Sequence, residues 1–240
     1  MIQCYDLTMM LNGRLWAGRR HNMFTYVQDK ELKKIMISEG PDIMNRLKMK
    51  INSEDYLEVD FELVGSGAKN LITQNGNQPP DVDFNFVILD MKERYNESAI
   101  KEYIREQLNI VLQDKELRNC SDSTSALTIK SIPAYKNVFF SIDVAIVKIE
   151  YNNHWYRLIH EKHGRFDEDR WYWNQGINFD EIYKRVNAIK KANGWNDFRN
   201  RYLDKKNYYL SEQDNNHPSY VVYIESVNEV YKMYYDKGWL

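Results

Sequence analysis

Residues 81–89 read DVDFNFVIL, the stretch most informative about the architecture of the chain. Aromatic and β-branched residues dominate it, so it predicts a strand that is buried through most of its length. Side chains at positions i and i+2 of a strand lie on the same side, so Asp81 and Asp83 are expected to project together. Two such carboxylates repel each other, and the pKa of one rises unless a cation lies between them. The stretch therefore predicts a buried strand that begins with a cation-binding pair.

Two further segments complete this pattern. Upstream, residues 56–64 alternate polar and apolar side chains, as a half-buried strand does, and Gly65 and Ser66 follow them. Glycine lets the backbone approach a phosphate closely, and free amides and the Ser66 hydroxyl can donate to its oxygens, so this turn is a candidate nucleotide-binding site. Downstream, Asp143 lies in the β-branched strand 138–149, where an unpaired charge is costly. Converging carboxylates favour magnesium, which prefers oxygen ligands and substrate phosphates.

The order of these motifs carries a resemblance to a known family. An apolar-Gly-Ser turn, a spacer, an Asp-apolar-Asp-apolar strand and a later strand Asp resemble the polymerase-β-like nucleotidyltransferase superfamily, over roughly residues 30–150. The resemblance implies that Asp81 and Asp83 bind two Mg²⁺ ions, with Mn²⁺ as the alternative metal. It also implies that Asp143 binds the catalytic ion and helps to activate an acceptor hydroxyl, and that Ser66 contacts a nucleoside triphosphate. The spacer is somewhat longer than is usual in the superfamily, so contacts within it are left unassigned.

The remaining periodicity predicts an α+β fold with a mixed sheet flanked by helices. Residues 29–50 have helical spacing, and Gly40-Pro41 is expected to break them into two helices. Residues 97–112 place their apolar side chains on one helical face. Three more helical segments are expected near the C-terminus, at about 179–193, 196–210 and 218–235. We therefore predict a catalytic core with an N-terminal helix at 1–154 and a helical C-terminal lobe at 155–240.

The helical lobe carries a local excess of positive charge. Between Lys184 and Lys206 there are eight cations and two acids, and Ser219 opens the last helical segment. The lobe is similar to that of oligoadenylate-synthetase-like proteins and bacterial cyclic-oligonucleotide synthases, in which it supplies a lysine and a Ser-Tyr pair to the triphosphate. This looser resemblance implies that Lys205 or Lys206, together with Ser219, binds the nucleotide. Adjacent helical residues point about 100° apart, so only one of the two lysines can face a cleft fully. The alternative is a solvated face.

Plainer interpretations of the same residues remain open at this level. Asp81 and Asp83 can be turn and cap residues after a proline pair, and Asp143 can pair with a lysine such as Lys130 on a neighbouring strand. Three histidines invite a metal interpretation, but no cysteine or carboxylate stands at a tight zinc-ligand spacing beside them, which favours surface histidines: His154, His160 and His163.

Composition excludes several classes of protein. The chain has 240 residues and a formal net charge of -2, so it is not an overall basic nucleic-acid binder and we expect no stable binding of double-stranded DNA. Its two cysteines, Cys4 and Cys120, cannot form a disulfide framework. The first residues lack the pattern of a signal peptide, and no window of about 18 apolar residues predicts a membrane span. We expect a cytoplasmic protein that does not contact a membrane.

These features together predict an enzyme. It is expected to move a nucleoside monophosphate from a nucleoside triphosphate such as ATP to a hydroxyl acceptor and to release pyrophosphate. The acceptor can be RNA, a small molecule, another nucleotide or a protein. The alternatives are an oligonucleotide or cyclic-dinucleotide synthase of the antiviral signalling type, and a non-catalytic, antitoxin-like partner that only binds nucleotide or protein.

Overall fold

The strand that begins with Asp81 lies inside a mixed sheet. The structure, a computed structural model, describes residues 23–240 apart from 55, 93–94, 151–153, 166 and 215–216, so Cys4 lies outside the described residues. The strands of the described part are β1 (Phe24–Tyr26), β2 (Leu57–Val64), β3 (Thr73–Asn75), β4 (Asp81–Met91), β5 (Ser121–Asp122), β6 (Leu127–Tyr135), β7 (Val138–Ile149), β8 (Trp155–Glu161) and β9 (Arg170–Gln175). Its helices are α1 (Lys30–Ser53), α2 (Gly65–Ala68), α3 (Glu97–Asp114), α4 (Asp180–Lys191), α5 (Trp195–Ser211) and α6 (Ser219–Asp236).

Strand pairing makes the sheet mixed, as predicted. β4 pairs with β2 antiparallel and with β7 parallel. β6 runs antiparallel to β7, and β5 follows at that edge. The end of β7 also pairs with β8, which pairs in turn with β9. β1 and β3 form a separate two-stranded ribbon.

The two faces of β4 have different surroundings. Val82, Phe84 and Phe86 are fully buried in the main core, which also contains the apolar sides of α1 and α3. Asp81 and Asp83 alternate with them and therefore lie on the opposite face of the sheet. The helices cover one face, and the acidic pair stands on the other.

The N-terminal helix is continuous, so the predicted break at Gly40-Pro41 is wrong. α1 runs through Pro41, and Gly40 packs so closely on Phe84 that an added Cβ would lie 2.8 Å from the ring. A proline inside a helix costs about 3 kcal/mol. Burial of one large apolar side chain contributes about 1.5–3 kcal/mol. The helix buries five that have no exposed surface, which outweighs the proline: Met36, Ile43, Met44, Leu47 and Ile51.

The C-terminal helices form where they were predicted, with a core of their own. α4, α5 and α6 pack around Phe198, Tyr202 and Val227. The sheet, however, continues beyond residue 155 through β8 and β9, and the helices begin only at Asp180. The division of the chain into domains at residues 154 and 155 stays a prediction.

The lobe is fixed to the rest of the chain through the β1–β3 ribbon. The side chain of Asn207 bonds to the backbone N–H and C=O of Phe24 at 2.7 and 3.0 Å. Arg199 donates to the carbonyl of Asn70 at 2.7 Å, and Tyr26 donates to the carbonyl of Arg199 at 2.8 Å. These bonds hold α5 against β1 and against Asn70, which follows α2. None of the helices in the described residues is long and apolar enough to cross a membrane.

One histidine differs from the expectation of a surface residue. His160 is only 6% exposed and stacks on Trp171. Its Nδ1 lies 2.6 Å from Asp122 and its Nε2 lies 2.8 Å from Asp169, so both ring nitrogens bond to carboxylates. His160 is thus buried in a network of ion pairs that also includes Lys101. The spacing of histidines along the chain does not reveal such a network. His154 and His163 are exposed, as predicted.

Candidate active site

Parallel pairing of β4 and β7 places the third aspartate beside the first two. The register sets Asp83 directly opposite Asp143, so both side chains lie on the same face of the sheet. Asp81, Asp83 and Asp143 each contribute one carboxylate oxygen to a group whose members all lie within 4.8 Å of one another. The structure thus brings together the three carboxylates that the sequence singled out.

The turn after β2 packs directly on this group. Gly65 has a φ of +61°, and a Cβ added to it would lie 2.1 Å from Oδ2 of Asp83. Only glycine tolerates both the left-handed backbone and this approach. The backbone N–H of Ser66 donates to the Asp83 carboxylate. That amide is therefore already engaged. The contact between Ser66 and a triphosphate stays a prediction, and it would be made by the Ser66 hydroxyl.

Asp143 has a hydrogen-bonding neighbour on the adjacent strand. Thr128 faces it from β6, and the Thr128 hydroxyl donates to Oδ1 of Asp143 at 2.6 Å. Lys130, the alternative partner, is exposed beside a β-bulge where Ser131 has a φ of +58°. The hydroxyl orients the Asp143 carboxylate and leaves its second oxygen for another partner.

Burial and crowding raise the pKa values of two of the three carboxyl groups. Burial raises the pKa of Asp83 to about 7, and the charges of Asp81 and Asp143 add to this effect. Asp81 retains solvent contact, yet burial of its carboxyl group and the charge of Asp143 raise its pKa as well. A divalent cation would remove this repulsion, since a positive charge favours the ionised form of each carboxylate. The site offers hard oxygen donors at coordinating spacing, which fits Mg²⁺ or Mn²⁺.

The raised pKa of Asp83 predicts how stability depends on pH. In the unfolded chain this group ionises near 3.8, whereas in the fold it keeps its proton until about pH 7. Between these values the folded state binds more protons, so without metal the free energy of unfolding falls as pH rises, by at most about 1.4 kcal/mol per pH unit, and levels off above pH 7. Mg²⁺ should therefore raise Tm more at pH 8 than at pH 5.

Thermal melts with Mg²⁺ and with EDTA check this expectation. The Asp83→Asn variant is the control, because it removes the titrating group and should flatten the pH dependence. An Mg²⁺-induced rise in Tm that is equal at both pH values would contradict the assignment of Asp83 as a metal ligand.

One of the two adjacent lysines of α5 faces the acidic group. On α5, Lys206 donates to the Thr73 hydroxyl at 2.8 Å and stands 4.0 Å from the centre of the Phe24 ring. Burial lowers the pKa of Lys206, while the charges of Asp81 and Asp83 oppose that effect. The predicted lysine therefore lies close enough to act on the carboxylates electrostatically.

Lys205 points elsewhere, as the angular argument requires of one member of the pair. Its ammonium lies 2.6 Å from Glu229 and 3.1 Å from Glu225, both on α6. Lys205 ties two helices of the lobe together. Of the two lysines, Lys206 is the one turned toward the carboxylates.

Ser219 lies at the start of α6 and hydrogen-bonds to the hydroxyl of Tyr202. It lines a cavity of about 290 Å³ together with Phe24, Lys206 and His217. That volume is near the lower end of ligand pockets, which span roughly 300–1,000 Å³. Ser219 and Lys206 thus share one cavity wall, although they lie on different helices.

Sequence reasoning missed Lys69. This half-buried lysine follows the Gly65-Ser66 turn, donates to the Gly65 carbonyl at 3.4 Å and lies 5.3 Å from the centre of the Tyr223 ring. Burial lowers its pKa, while Asp83 and Glu62 act in the opposite direction. Its position four residues after Gly65 is the signal that could have identified it.

Comparison with known proteins places this geometry in a fold class. No family model matches the chain, and no curated protein matches it. Several solved structures do match. Escherichia coli MS115-1 CdnC with ATP is 13% identical, with a TM-score of 0.53 over 87% of this chain and 62% of that one. Vibrio cholerae DncV, a cyclic AMP-GMP synthase in complex with nonhydrolyzable GTP, is 14% identical, with a TM-score of 0.52 over 83% of this chain and 54% of that one.

The same synthase in complex with the linear intermediate 5′ pppA(3′,5′)pG is 12% identical, with a TM-score of 0.50 over 83% of this chain and 62% of that one. The chain therefore spans between about half and two thirds of the length of these structures. At this identity the likeness concerns the fold. The chain has the polymerase-β-like nucleotidyltransferase fold, as its motifs predicted.

Proposed function

We propose that the chain is a metal-dependent nucleotidyltransferase that moves a nucleoside monophosphate from a nucleoside triphosphate to a hydroxyl acceptor. The observation that carries the proposal is the convergence of Asp81, Asp83 and Asp143 within 4.8 Å, beside a Gly-Ser turn, in this fold. Solved proteins of the same fold hold ATP or a GTP analogue, which supports nucleotide as the substrate class.

In the proposed reaction, the acceptor hydroxyl oxygen bonds to the α-phosphorus, the bond from that phosphorus to the β-phosphate bridging oxygen breaks, and pyrophosphate leaves. The hydroxyl proton passes to solvent. Asp81, Asp83 and Asp143 would hold Mg²⁺, and the chemistry that Mg²⁺ supplies when bound is neutralisation of charge on the transferring group and on pyrophosphate. Thr128 keeps Asp143 oriented. We place the acceptor beside Asp143, because the family resemblance assigns that residue to activation of the acceptor hydroxyl.

A second candidate is an oligonucleotide or cyclic-dinucleotide synthase, in which the acceptor is another nucleotide. The fold likeness to CdnC and DncV favours it. The third alternative, a non-catalytic nucleotide-binding partner, is disfavoured by the site itself. A protein with no use for a metal gains nothing from three crowded carboxylates, where burial first and the charges of Asp81 and Asp143 second raise the pKa of Asp83 to about 7.

Pyrophosphate release from each of the four ribonucleoside triphosphates, with Mg²⁺ or Mn²⁺ and with an EDTA control, tests the proposal. Analysis of the nucleotide products by mass spectrometry separates cyclic and linear products from transfer to an added acceptor. Metal-dependent release supports an enzyme. Binding of a nonhydrolysable nucleotide without any release, across all four bases and all acceptors, would leave the non-catalytic alternative.

The two adjacent lysines should respond very differently to substitution. Lys206→Ala removes a charge-assisted contact that we propose is made to the triphosphate, worth about 1.5–3 kcal/mol. The Kd for a nonhydrolysable ATP analogue should therefore rise about ten- to hundredfold. Lys205→Ala is the matched control: it leaves Glu225 and Glu229 without this partner, so Tm should fall while Kd stays within threefold. If both variants matched the parent in calorimetric titrations, the cations between Lys184 and Lys206 would form only a solvated face, and Lys206 would not bind the triphosphate.

A further inference from the structure

Arg157 is a cation on the open face of the sheet that the proposed reaction has not used. It lies on β8, where it pairs in register with Val147 of β7. Val147 is four residues beyond Asp143, and side chains an even number apart on a strand share a face. Arg157 therefore stands on the same face as Asp143 and Asp83.

The charge of Arg157 acts on the acidic group without a direct ion pair in the described residues. The positive charge of Arg157 lowers the pKa of Asp83, against the stronger effects of burial and of the other carboxylates. Its side chain is exposed, and within the described residues the structure shows no hydrogen bond or ion pair from the guanidinium to another side chain. Lys148, the nearest cation along β7, differs: it pairs with Glu150 at 2.9 Å and lies over Trp173 on the other face.

The two reactants would approach the carboxylates from different sides. Lys206 of α5, bonded to Thr73 of β3, feels the charge of Asp81 at the start of β4, and we place the triphosphate of the donor on this side. Arg157 lies two strands away from β4, beyond Asp143. The Cα atoms of Asp143 and Arg157 are separated by roughly 14 Å, from four residues along a strand and one strand spacing. A long side chain can span part of that distance, so an acceptor whose hydroxyl lies at Asp143 would extend toward Arg157.

We infer that Arg157 binds a phosphate of the acceptor, and that the enzyme selects acceptors that carry a phosphate ester. This inference rests on the proposed function. An arginine fork matches phosphate oxygens in a bidentate way, and a guanidinium with no side-chain partner among the described residues is available for such a contact at the far end of the acceptor. The same charge repels cationic acceptors such as aminoglycosides. Mononucleotides and 5′-phosphorylated RNA share the required chemistry.

The experiment uses a donor that cannot act as an acceptor. A 2′,3′-dideoxynucleoside triphosphate supplies the nucleotidyl group, and each of the four nucleoside 5′-monophosphates is compared with its own nucleoside. A 5′-phosphorylated RNA dinucleotide and kanamycin form two further arms, which separate the sources of phosphate and a cationic acceptor. The parent should show an acceptor KM at least tenfold lower for the phosphorylated member of each pair.

The variants are Arg157→Gln, Arg157→Lys and, as a matched control, Arg118→Gln, which changes an exposed arginine between α3 and β5. Arg157→Gln should raise the acceptor KM ten- to hundredfold for the phosphorylated acceptors and less than threefold for nucleosides, with kcat and donor KM within threefold. Arg157→Lys should recover part of the loss, and Arg118→Gln should match the parent.

Two results would overturn the inference while the proposed function stands: transfer to nucleosides or kanamycin at least as efficient as to phosphorylated acceptors, or an unchanged acceptor KM in Arg157→Gln. Absence of pyrophosphate release by the parent with every donor and acceptor would instead overturn the proposed function, and this inference with it. Preference for the RNA dinucleotide over all mononucleotides supports the inference with RNA as the source of the phosphate.

Discussion

Asp83→Asn should reduce kcat by about a thousandfold or more and leave the fold intact. The substitution preserves volume and removes one ligand charge from a site whose proposed catalysis rests on metal-assisted charge neutralisation, an effect of several kcal/mol. About 1.4 kcal/mol corresponds to a factor of ten in rate. In the absence of metal, the variant should be as stable as the parent or more stable, because it also removes the repulsion among the carboxylates. Steady-state pyrophosphate release and thermal melts measure the two effects.

Asp90→Asn is the matched control for this variant. Asp90 lies on the same strand, is exposed and accepts a bond from the backbone of Met91. It stands far from the carboxylate group, so its loss should leave kcat within twofold. Near-normal turnover by Asp83→Asn would mean that the metal site has been assigned to the wrong residues.

Gly65→Ala should lower kcat/KM by about a hundredfold or more and should also destabilise the protein. The new methyl group would lie 2.1 Å from Oδ2 of Asp83, so the carboxylate or the turn must move by about an ångström. A displacement of that size at reacting groups costs on the order of a hundredfold in rate. The positive φ of +61° adds a backbone penalty of about 1–2 kcal/mol for a residue other than glycine.

Gly238→Ala separates these two causes. Gly238 has a similar φ of +68°, but a Cβ there would meet no atom within 4 Å. Its substitution should cost about 1–2 kcal/mol of stability and leave turnover unchanged. If Gly65→Ala behaved in the same way, with a fall in Tm and normal kinetics, the close packing of the turn on Asp83 would have no catalytic role.

Sequence reasoning failed where packing outweighed a local signal. Gly40-Pro41 is a sound helix breaker in isolation, but the cost of one proline is small beside the burial of the apolar side of α1. His160 was expected at the surface because no ligand spacing surrounds it. Its partners Asp122 and Asp169 come from different parts of the chain, so spacing along the sequence could not reveal them.

Local sequence patterns were enough to specify the strands and helices that carry the site. The two-residue period places Asp81 and Asp83 on one side of β4, and that period is a local property of the backbone. The preference for glycine in the Gly65-Ser66 turn is local in part, since a left-handed φ is a property of the residue's own backbone, whereas the close approach to Asp83 is a tertiary contact.

Which distant residues meet depends on tertiary packing and could not be read from local patterns. The parallel register of β4 and β7 sets Asp143 opposite Asp83, and no pattern within either strand specifies that register. The choice between Lys205 and Lys206 depends on how α5 is rotated against the ribbon and α6. Arg157 joins the same face only because β8 pairs with the end of β7. The physical reason is common to all three: the burial of apolar surface that fixes register and helix rotation is summed over the whole core, whereas sequence patterns report one element at a time.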